Sequence, residues 1–310
     1  MRWHHVPVVT AAILSLPTGV NVQGQEPPVF SADSELVVLH VTVKDRRGAY
    51  VSGLPQEAFS VIEDGLAQTV RFFTDTDTPV TVGLLVDSSA SMHPNRRVVI
   101  AGAASFAEAS SPRDEIFALA FNEDVYPVLP PTAPFTNDSS VLRAALERHV
   151  TARGRTALYD AISTGINYLL RGTRERKVLV VLSDGGDNAS QATEEASVRK
   201  ALSSNAVIYT IALVIPGVRD ANPTLLKELA QASGGESFRP NAGAPHEIAE
   251  VLGQIARDIR HTYTIGYTST NTARDGAFRR VRVVVRAPPG RPLVVRSRGG
   301  YIAGTTKVEP

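Results

Sequence analysis

Two short runs of oxygen-bearing side chains and one threonine could do chemistry together. Asp87-Ser88-Ser89-Ala90-Ser91 follows the apolar run Leu84-Leu85-Val86, and Ser183-Asp184-Gly185-Gly186-Asp187-Asn188 follows a second apolar run at 178–182. Between them, Thr156 stands in Arg153-Gly154-Arg155-Thr156, just ahead of a helical pattern. The D-x-S-x-S spacing lets Asp87, Ser89 and Ser91 turn toward one point as the chain leaves a strand. All of these donors are hard oxygens, which suit Mg²⁺ or Mn²⁺ ahead of Ca²⁺ and disfavour zinc. Asp87 and Asp184 supply two negative charges, only enough to neutralise a divalent ion, while Ser89, Ser91 and Thr156 would add neutral hydroxyls. Octahedral Mg²⁺ takes about six oxygens, so a position remains for water or for a carboxylate from another molecule. Taken singly, each piece has an ordinary reading: a Ser-rich cap, a helix N-cap at Thr156, an Asp-Gly turn. Their combination, each at a strand end or helix start, favours a metal site.

The elements that would position these residues alternate strand and helix. Apolar runs at 80–86, 178–182 and 207–213 read as strands covered on both faces, with further strands at 115–121, 124–129 and 236–239. Helical spacing marks 96–108, 139–149, 156–170, 194–203, 224–232 and 246–260, the last with Ile248, Val251, Leu252, Ile255 and Ile259 as its apolar stripe. This predicts an α/β fold over residues 79–259, a doubly wound, mostly parallel sheet with helices on both faces. In such sheets ligands sit beyond the carboxyl ends of the strands. On either side, period-two alternation takes over. An N-terminal β segment, 34–75, has candidate strands at 36–44, 59–63 and 68–73; a C-terminal one, 260–304, has them at 262–267, 278–286, 292–296 and 301–303, before a tail at 305–310. Each segment is near the lower size limit for independent folding. Together they offer enough strands for one small β-sandwich into which the α/β region is inserted.

Composition narrows the function classes. Of the 310 residues, 43% are hydrophobic and 20% charged, which excludes a disordered chain. A net charge of +1 argues against a nucleic-acid binder. The absence of cysteine excludes disulfides, thiolate metal sites and cysteine nucleophiles. The stretch from Arg260 onward carries ten basic residues against two acidic, a local charge of +8. A solvated strand face is the plain reading, and weak contact with an anionic surface the sharper one. Residues 1–24 read as a secretory signal peptide, with Arg2, His4 and His5 at its start, an apolar stretch over 6–20, and cleavage after Gly24. That apolar stretch, interrupted by Pro7 and Pro17, is shorter than the ~20 residues of a membrane span. No transmembrane segment is expected beyond it. The expected location is therefore outside the cytoplasm, periplasmic or extracellular.

Residues from about 79 to 259 resemble a von Willebrand factor type A (VWA) domain, a Rossmann-like fold, and the three polar elements match that family's metal-ion-dependent adhesion site. Asp87, Ser89 and Ser91 match its first motif, Thr156 the isolated threonine and Asp184 the last aspartate, without substitution. The resemblance implies that the serines and threonine bind the ion directly or through water, and that the aspartates bind it or orient waters. It also implies that a protein ligand offers Glu or Asp to the open position, and that the last helix, 246–260, can shift between closed and open states. The flanks resemble exported bacterial proteins carrying such a domain, at Val43-Lys44-Asp45, at Phe59-Ser60-Val61-Ile62-Glu63-Asp64-Gly65 and at Arg298-Gly299-Gly300-Tyr301. This part implies architecture more than function.

The leading expectation is thus an exported, metal-dependent protein-binding module of adhesion type, and no enzyme. Two others stay open. A metal-dependent hydrolase would also place Asp at a strand end, but the position two after Asp87 is Ser89 and not a second Asp able to act as acid and base. No G-x-S-x-G, H-E-x-x-H or P-loop motif is present either. A periplasmic assembly or chaperone module would work through β edge strands without a metal. Asp187 and Asn188 could brace the site or belong to a solvated loop, and His93 reads as an exposed loop histidine.

Overall fold

The computed structural model describes residues 36–304, apart from 215–216, 218–219, 242–243 and 288–291. The expected signal peptide and the tail lie outside the described residues.

Alternation along the N-terminal segment builds β1 (Leu36–Asp45), β2 (Phe59–Glu63), β3 (Leu66–Gln68) and β4 (Val70–Thr74). In β1 the residues Leu39, Val41 and Val43 turn inward. Asp64-Gly65 joins β2 to β3 with φ of 47° and 88°, the left-handed pair of a type I′ hairpin. The pattern predicts one strand over 68–73, but the chain breaks at Thr69. Gln68, 8% exposed, donates to Thr270 Oγ1 at 3.0 Å and accepts from Thr270 N at 3.0 Å, which fixes a corner where the chain passes from one sheet to the other.

The α/β region follows. Its strands are β5 (Val80–Asp87), β6 (Glu115–Phe121), β7 (Val125–Pro127), β8 (Arg176–Ser183), β9 (Val207–Ala212) and β10 (Ser237–Phe238). They form one sheet in the order β10-β9-β8-β5-β6-β7, parallel except for the antiparallel edge strand β7. Helices cover both faces. α1 (Arg96–Ala109) and α2 (Ser139–His149) pack on one, with Val99, Phe106 and Leu142 against Val82 and Leu84. α3 (Leu158–Leu169), α4 (Glu194–Ser203) and α5 (Pro223–Ser233) cover the other, with Ile162, Ala201 and Leu226 against Leu85 and Leu179. The last helix, α6 (Pro245–Arg260), returns to the first face through Ile248, Leu252, Ile255 and Ile259. The fold is the α/β, doubly wound and mostly parallel sheet that the apolar runs predict.

The C-terminal segment contributes β11 (Thr262–Thr268), β12 (Phe278–Val285), β13 (Leu293–Arg296) and β14 (Gly300–Ile302). Strands from the two ends of the chain interleave in two antiparallel sheets, β13-β1-β11-β4 and β14-β12-β2-β3. One apolar cluster joins their inner faces, with Leu39, Val41, Tyr263 and Ile265 from the first and Phe59, Val61, Val281 and Val283 from the second. Glu63, 2% exposed within this half, accepts from Tyr267 Oη at 2.6 Å, from Tyr301 Oη at 3.0 Å and from Ser269 Oγ.

A second buried acid ties the β half to the α/β half. Asp258, on α6 and fully buried, pairs with Lys44 Nζ at 2.9 Å and with the Arg296 guanidinium, and accepts from Tyr50 Oη. Burial alone would raise its carboxyl, but Arg296, Tyr50 and Lys44 together hold it below the ordinary carboxylate range. Replacing Asp258 with alanine strands Lys44 and Arg296 beside it. Complete loss of a buried partner costs about 3–5 kcal/mol. Because Glu236 also pairs with both cations, a loss of about 2–4 kcal/mol is expected for Asp258→Ala, measured as a lowered urea midpoint at unchanged slope. A change below ~1 kcal/mol would show that the cluster is dispensable.

Candidate functional site

The winding of the sheet decides where a site can form. From β5 the chain crosses to β6 on one side, and later enters β8 on the other side and proceeds to β9 and β10. The order therefore reverses between β5 and β8, where the crevice beyond the strand ends is left open for a ligand. Asp87 is the last residue of β5; Ser183 ends β8, and Asp184 follows it.

Local hydrogen bonds fix the first motif. Asp87 Oδ1 accepts the backbone N–H of Ser89 at 2.9 Å, and its Oδ2 accepts from Ser183 Oγ at 2.6 Å. The Ser89 and Ser91 hydroxyls lie 3.1 Å apart, Ser91 at the start of a 3₁₀ turn over Ala90–Asn95 that the sequence pattern does not announce. Asp184 Oδ1 accepts the N–H of Gly186 at 2.9 Å. Gly185 between them has φ +86°, and a Cβ there would lie 2.3 Å from the Asn222 carbonyl oxygen, so glycine is required for the turn.

Thr156 is brought up by its neighbours. Ala90 N donates to Gly154 O at 3.1 Å and Arg153 N to Ser88 O at 2.8 Å, which joins this loop to the first motif. Thr156 N donates to Asn188 Oδ1 at 2.9 Å, and Thr156 O accepts from Asn188 N and Ala189 N, which joins it to the Asp184 loop. Thr156 is not an N-cap: α3 begins at Leu158, its cap residue is Ala157, and no side chain caps it. Asp87, Ser89, Ser91, Thr156 and Asp184 thus stand on three loops knitted together at one end of the sheet.

Sequence reasoning assigns no role to the two serines that do much of this knitting. Ser88, fully buried, accepts from Thr151 N at 2.8 Å and Ala152 N at 3.2 Å through its hydroxyl, while Ser183 orients Asp87. The only signal was their position as polar residues closing apolar runs. Asn188 braces Thr156, and Asp187 accepts from Tyr159 N at 3.1 Å and from Ser190 Oγ at 2.5 Å. His93 is exposed.

The electrostatics of the pair are one-sided. Asp87 is 1% and Asp184 2% exposed, yet among the described residues neither pairs with a lysine, arginine or histidine. Burial pushes the Asp87 carboxyl up to about 6, against the hydrogen bonds from Ser183 and Ser89, and the nearby Asp184 charge adds to the rise. Buried charges are ordinarily paired or bound to a metal. Among the described residues no cluster of three or more His, Cys, Asp or Glu side chains is arranged to hold a metal ion. Any cation seated here would therefore rely on two carboxylates and on hydroxyls, a donor set that fits a hard ion and does not fit zinc.

Residues 82–251 match the family model of the von Willebrand factor type A domain. The chain belongs to this family. No curated protein matches the sequence. Among solved structures, a von Willebrand factor type A protein from Catenulispora acidiphila is 14% identical, over 90% of this chain and 76% of that one, with a TM-score of 0.49. The vWF domain of the type V pili tip protein Mfa5 from Porphyromonas gingivalis is 15% identical over 59% of this chain and 96% of its own, also with a TM-score of 0.49. An aerotolerance-related membrane protein from Bacteroides fragilis is 17% identical, covering 58% and 98%, with a TM-score of 0.47.

The buried carboxylates of this VWA domain make a prediction about chelator-treated protein. Asp87 has a folded-state value near 6, above the ordinary value of about 3.9 for an unfolded chain. Ionising it therefore opposes folding: its stabilising effect is full below about pH 4 and is lost as pH rises through 6. Asp87→Asn removes that penalty, so the variant's melting temperature should exceed that of the wild type at pH 8, with the advantage shrinking between pH 6 and 4. Calorimetry across that range checks it, and a difference that does not vary with pH contradicts it.

Proposed function

We propose that this protein is an exported binding module that captures a carboxylate of a protein partner through a divalent cation, Mg²⁺ or Mn²⁺ ahead of Ca²⁺. The ligands would be Asp87, Ser89, Ser91, Thr156 and Asp184. One observation carries the reading: two nearly fully buried carboxylates face the switch point of the sheet without a basic partner among the described residues. Two neighbouring hydroxyls, 3.1 Å apart, support it. A bound divalent ion would supply a Lewis-acidic position to an incoming Glu or Asp. The chain's own part is positional. Ser183 and the Ser89 N–H hold the Asp87 carboxylate in one orientation, and the Gly186 N–H does so for Asp184. Ser88 and Asn188 keep the Thr156 loop against both.

Binding fits this site better than hydrolysis. Ser89 Oγ stands beside Ser91 Oγ with no histidine among its described contacts, and the position two after Asp87 is Ser89 itself where phosphoaspartate chemistry would need a second aspartate. The metal-free chaperone reading remains the rival for the β half. Export and a place in the periplasm or outside the cell rest on residues 1–24. Among the described residues no helix is long and apolar enough to cross a membrane. The two β segments are read as one domain carrying the VWA domain as an insertion, supported by their common core. The composition offers nothing for nucleic acid. The basic C-terminal segment is left with a weak anionic-surface role at most, since Arg279, Arg296 and Arg298 turn inward to protein acceptors.

Mg²⁺ should raise the melting temperature of the wild type, since a ligand at a hundred times its dissociation constant adds about 2.7 kcal/mol. Neither Asp87→Ala nor the Ser89→Ala/Ser91→Ala double variant should respond. Envelope proteins captured in Mg²⁺ should be lost in EDTA and by the double variant. Capture that survives both would sink the metal reading in favour of the chaperone one, and turnover of generic phosphate esters would sink it in favour of a hydrolase.

A further inference from the structure

We propose that a cleft between the β half and the VWA domain, independent of the metal reading, accepts an extended acidic peptide segment as an added strand. The cleft has a volume of about 620 Å³, and its walls carry Lys44, Lys227, Arg282, Arg296 and Arg298 against Glu236 as the sole acid. Its wall includes Gly235, Glu236 and Ser237, where the chain enters β10, whereas Asp87 and Asp184 stand at the carboxyl ends of β5 and β8.

Two sheet edges open into it. Strand pairing is directional: alternate residues send their N–H and C=O to opposite neighbours. In β12, Arg286 N donates to Ala58 O and Arg280 O accepts from Asp64 N, so the even-numbered residues face β2. Val281 N donates the other way, to Gly299 O. Val283, of the same parity, lies beyond the end of the β14 pairing, which covers only Phe278–Arg280, so its backbone groups face the cleft. The same parity holds across the gap. Val43 O accepts from Val51 N, so Thr42 and Lys44 are the β1 residues that face β13. Their partners Arg296 and Val294 face β1, which leaves Val295 directed away from it. β10, only two residues long, pairs with β9 alone and lines a third wall through Ser237.

Charge and hydropathy select the occupant. Edge strands are often blunted by charged side chains, which is the plain reading of Arg282. Here, however, the cationic excess is concentrated in a concavity: Arg282 and Lys227 are exposed and have no acidic partner among the described residues. Val294, 57% exposed, adds an apolar spot on the same wall. A strand presents alternate side chains to opposite faces. A segment alternating Glu with a β-branched residue would set its acids toward Lys227 and Arg282 and its apolar side toward Val294, while its backbone pairs with an open edge.

The test uses the full chain, EDTA throughout, and a fluorescently labelled octapeptide of alternating Glu and Val followed by anisotropy. Saturable binding is expected, weakened tenfold or more both by Lys227→Glu/Arg282→Glu and by N-methylation of alternate peptide amides. Both replaced residues are exposed, so the fold should be retained, which an unchanged melting temperature verifies. Absence of binding overturns the proposal. So does equal affinity for the N-methylated peptide, which would reduce the effect to charge, or displacement by an anionic polysaccharide at matched charge concentration. Binding that needs Mg²⁺ would move the peptide to the other end of the sheet and overturn it as well. Failure of the metal reading leaves these expectations unaltered, because no arm contains a divalent ion.

Discussion

Two carboxylates held out of water, with no basic partner among the described residues, set the terms for this molecule. Asp87 and Asp184 arrive side by side because β5 and β8 are parallel neighbours that end in register. Were the two strands antiparallel to each other, their carboxyl ends would lie at opposite edges of the sheet. Desolvation of such groups must be offset by donors, each contributing about 1.5–3 kcal/mol when the acceptor is charged. The structure supplies Ser183 and the Ser89 N–H to one and the Gly186 N–H to the other. That is incomplete compensation, and the raised Asp87 carboxyl is its signature. On the proposed reading, the residual field is what selects a small cation, and the cation's own unmet charge is what selects a partner's carboxylate.

Buried acids away from this site are treated differently. Asp258 meets two cations and a phenol, and Glu63 meets three hydroxyls. In both places the acid is saturated by groups from distant parts of the sequence, so its role is to hold elements in place. Glu63 of β2 gathers Tyr267 from β11 and Tyr301 from β14, which staples the two sheets across their common core. The contrast separates structural acids from the site acids more sharply than burial does, since all four are nearly inaccessible.

Much of this was legible in the residue order because the dominant signals are local. The continuous apolar runs that end at Asp87 and Ser183 require cover on both faces, which forces a parallel sheet and hence a site at the strand ends. Period-two alternation in Leu36–Asp45 likewise announces a half-covered strand. What escaped depends on contacts far apart in sequence. The break at Thr69 follows from Gln68 bonding to Thr270, and the non-capping role of Thr156 follows from Asn188, thirty-two residues onward. No periodicity encodes Asp258 meeting Lys44: on α6 it falls seven residues after Val251, at the margin of the apolar stripe, and spacing alone does not name the partner that a carboxylate finds there.

That buried pairing constrains how the two ends of the molecule can communicate. α6 packs Ile248, Leu252 and Ile255 on the central sheet while its final turn carries Asp258 into the β half, and Arg176 at the start of β8 donates to Ile259 O at 2.9 Å. A slide of α6 along the sheet, the motion that the family resemblance implies, must either break the Lys44 and Arg296 pairs or carry the β half along. Breaking them leaves Asp258 buried without its cations, which keep Glu236 alone, at a cost of several kcal/mol. Carrying the β half leaves that cluster intact and strains instead the edge contacts along β13, where Arg296 also holds Glu236 beside β10. The lower-cost coordinate is therefore a joint movement of α6 with the β half, and the shared Arg296 makes the wall of the basic cleft the place where such a movement would first be felt.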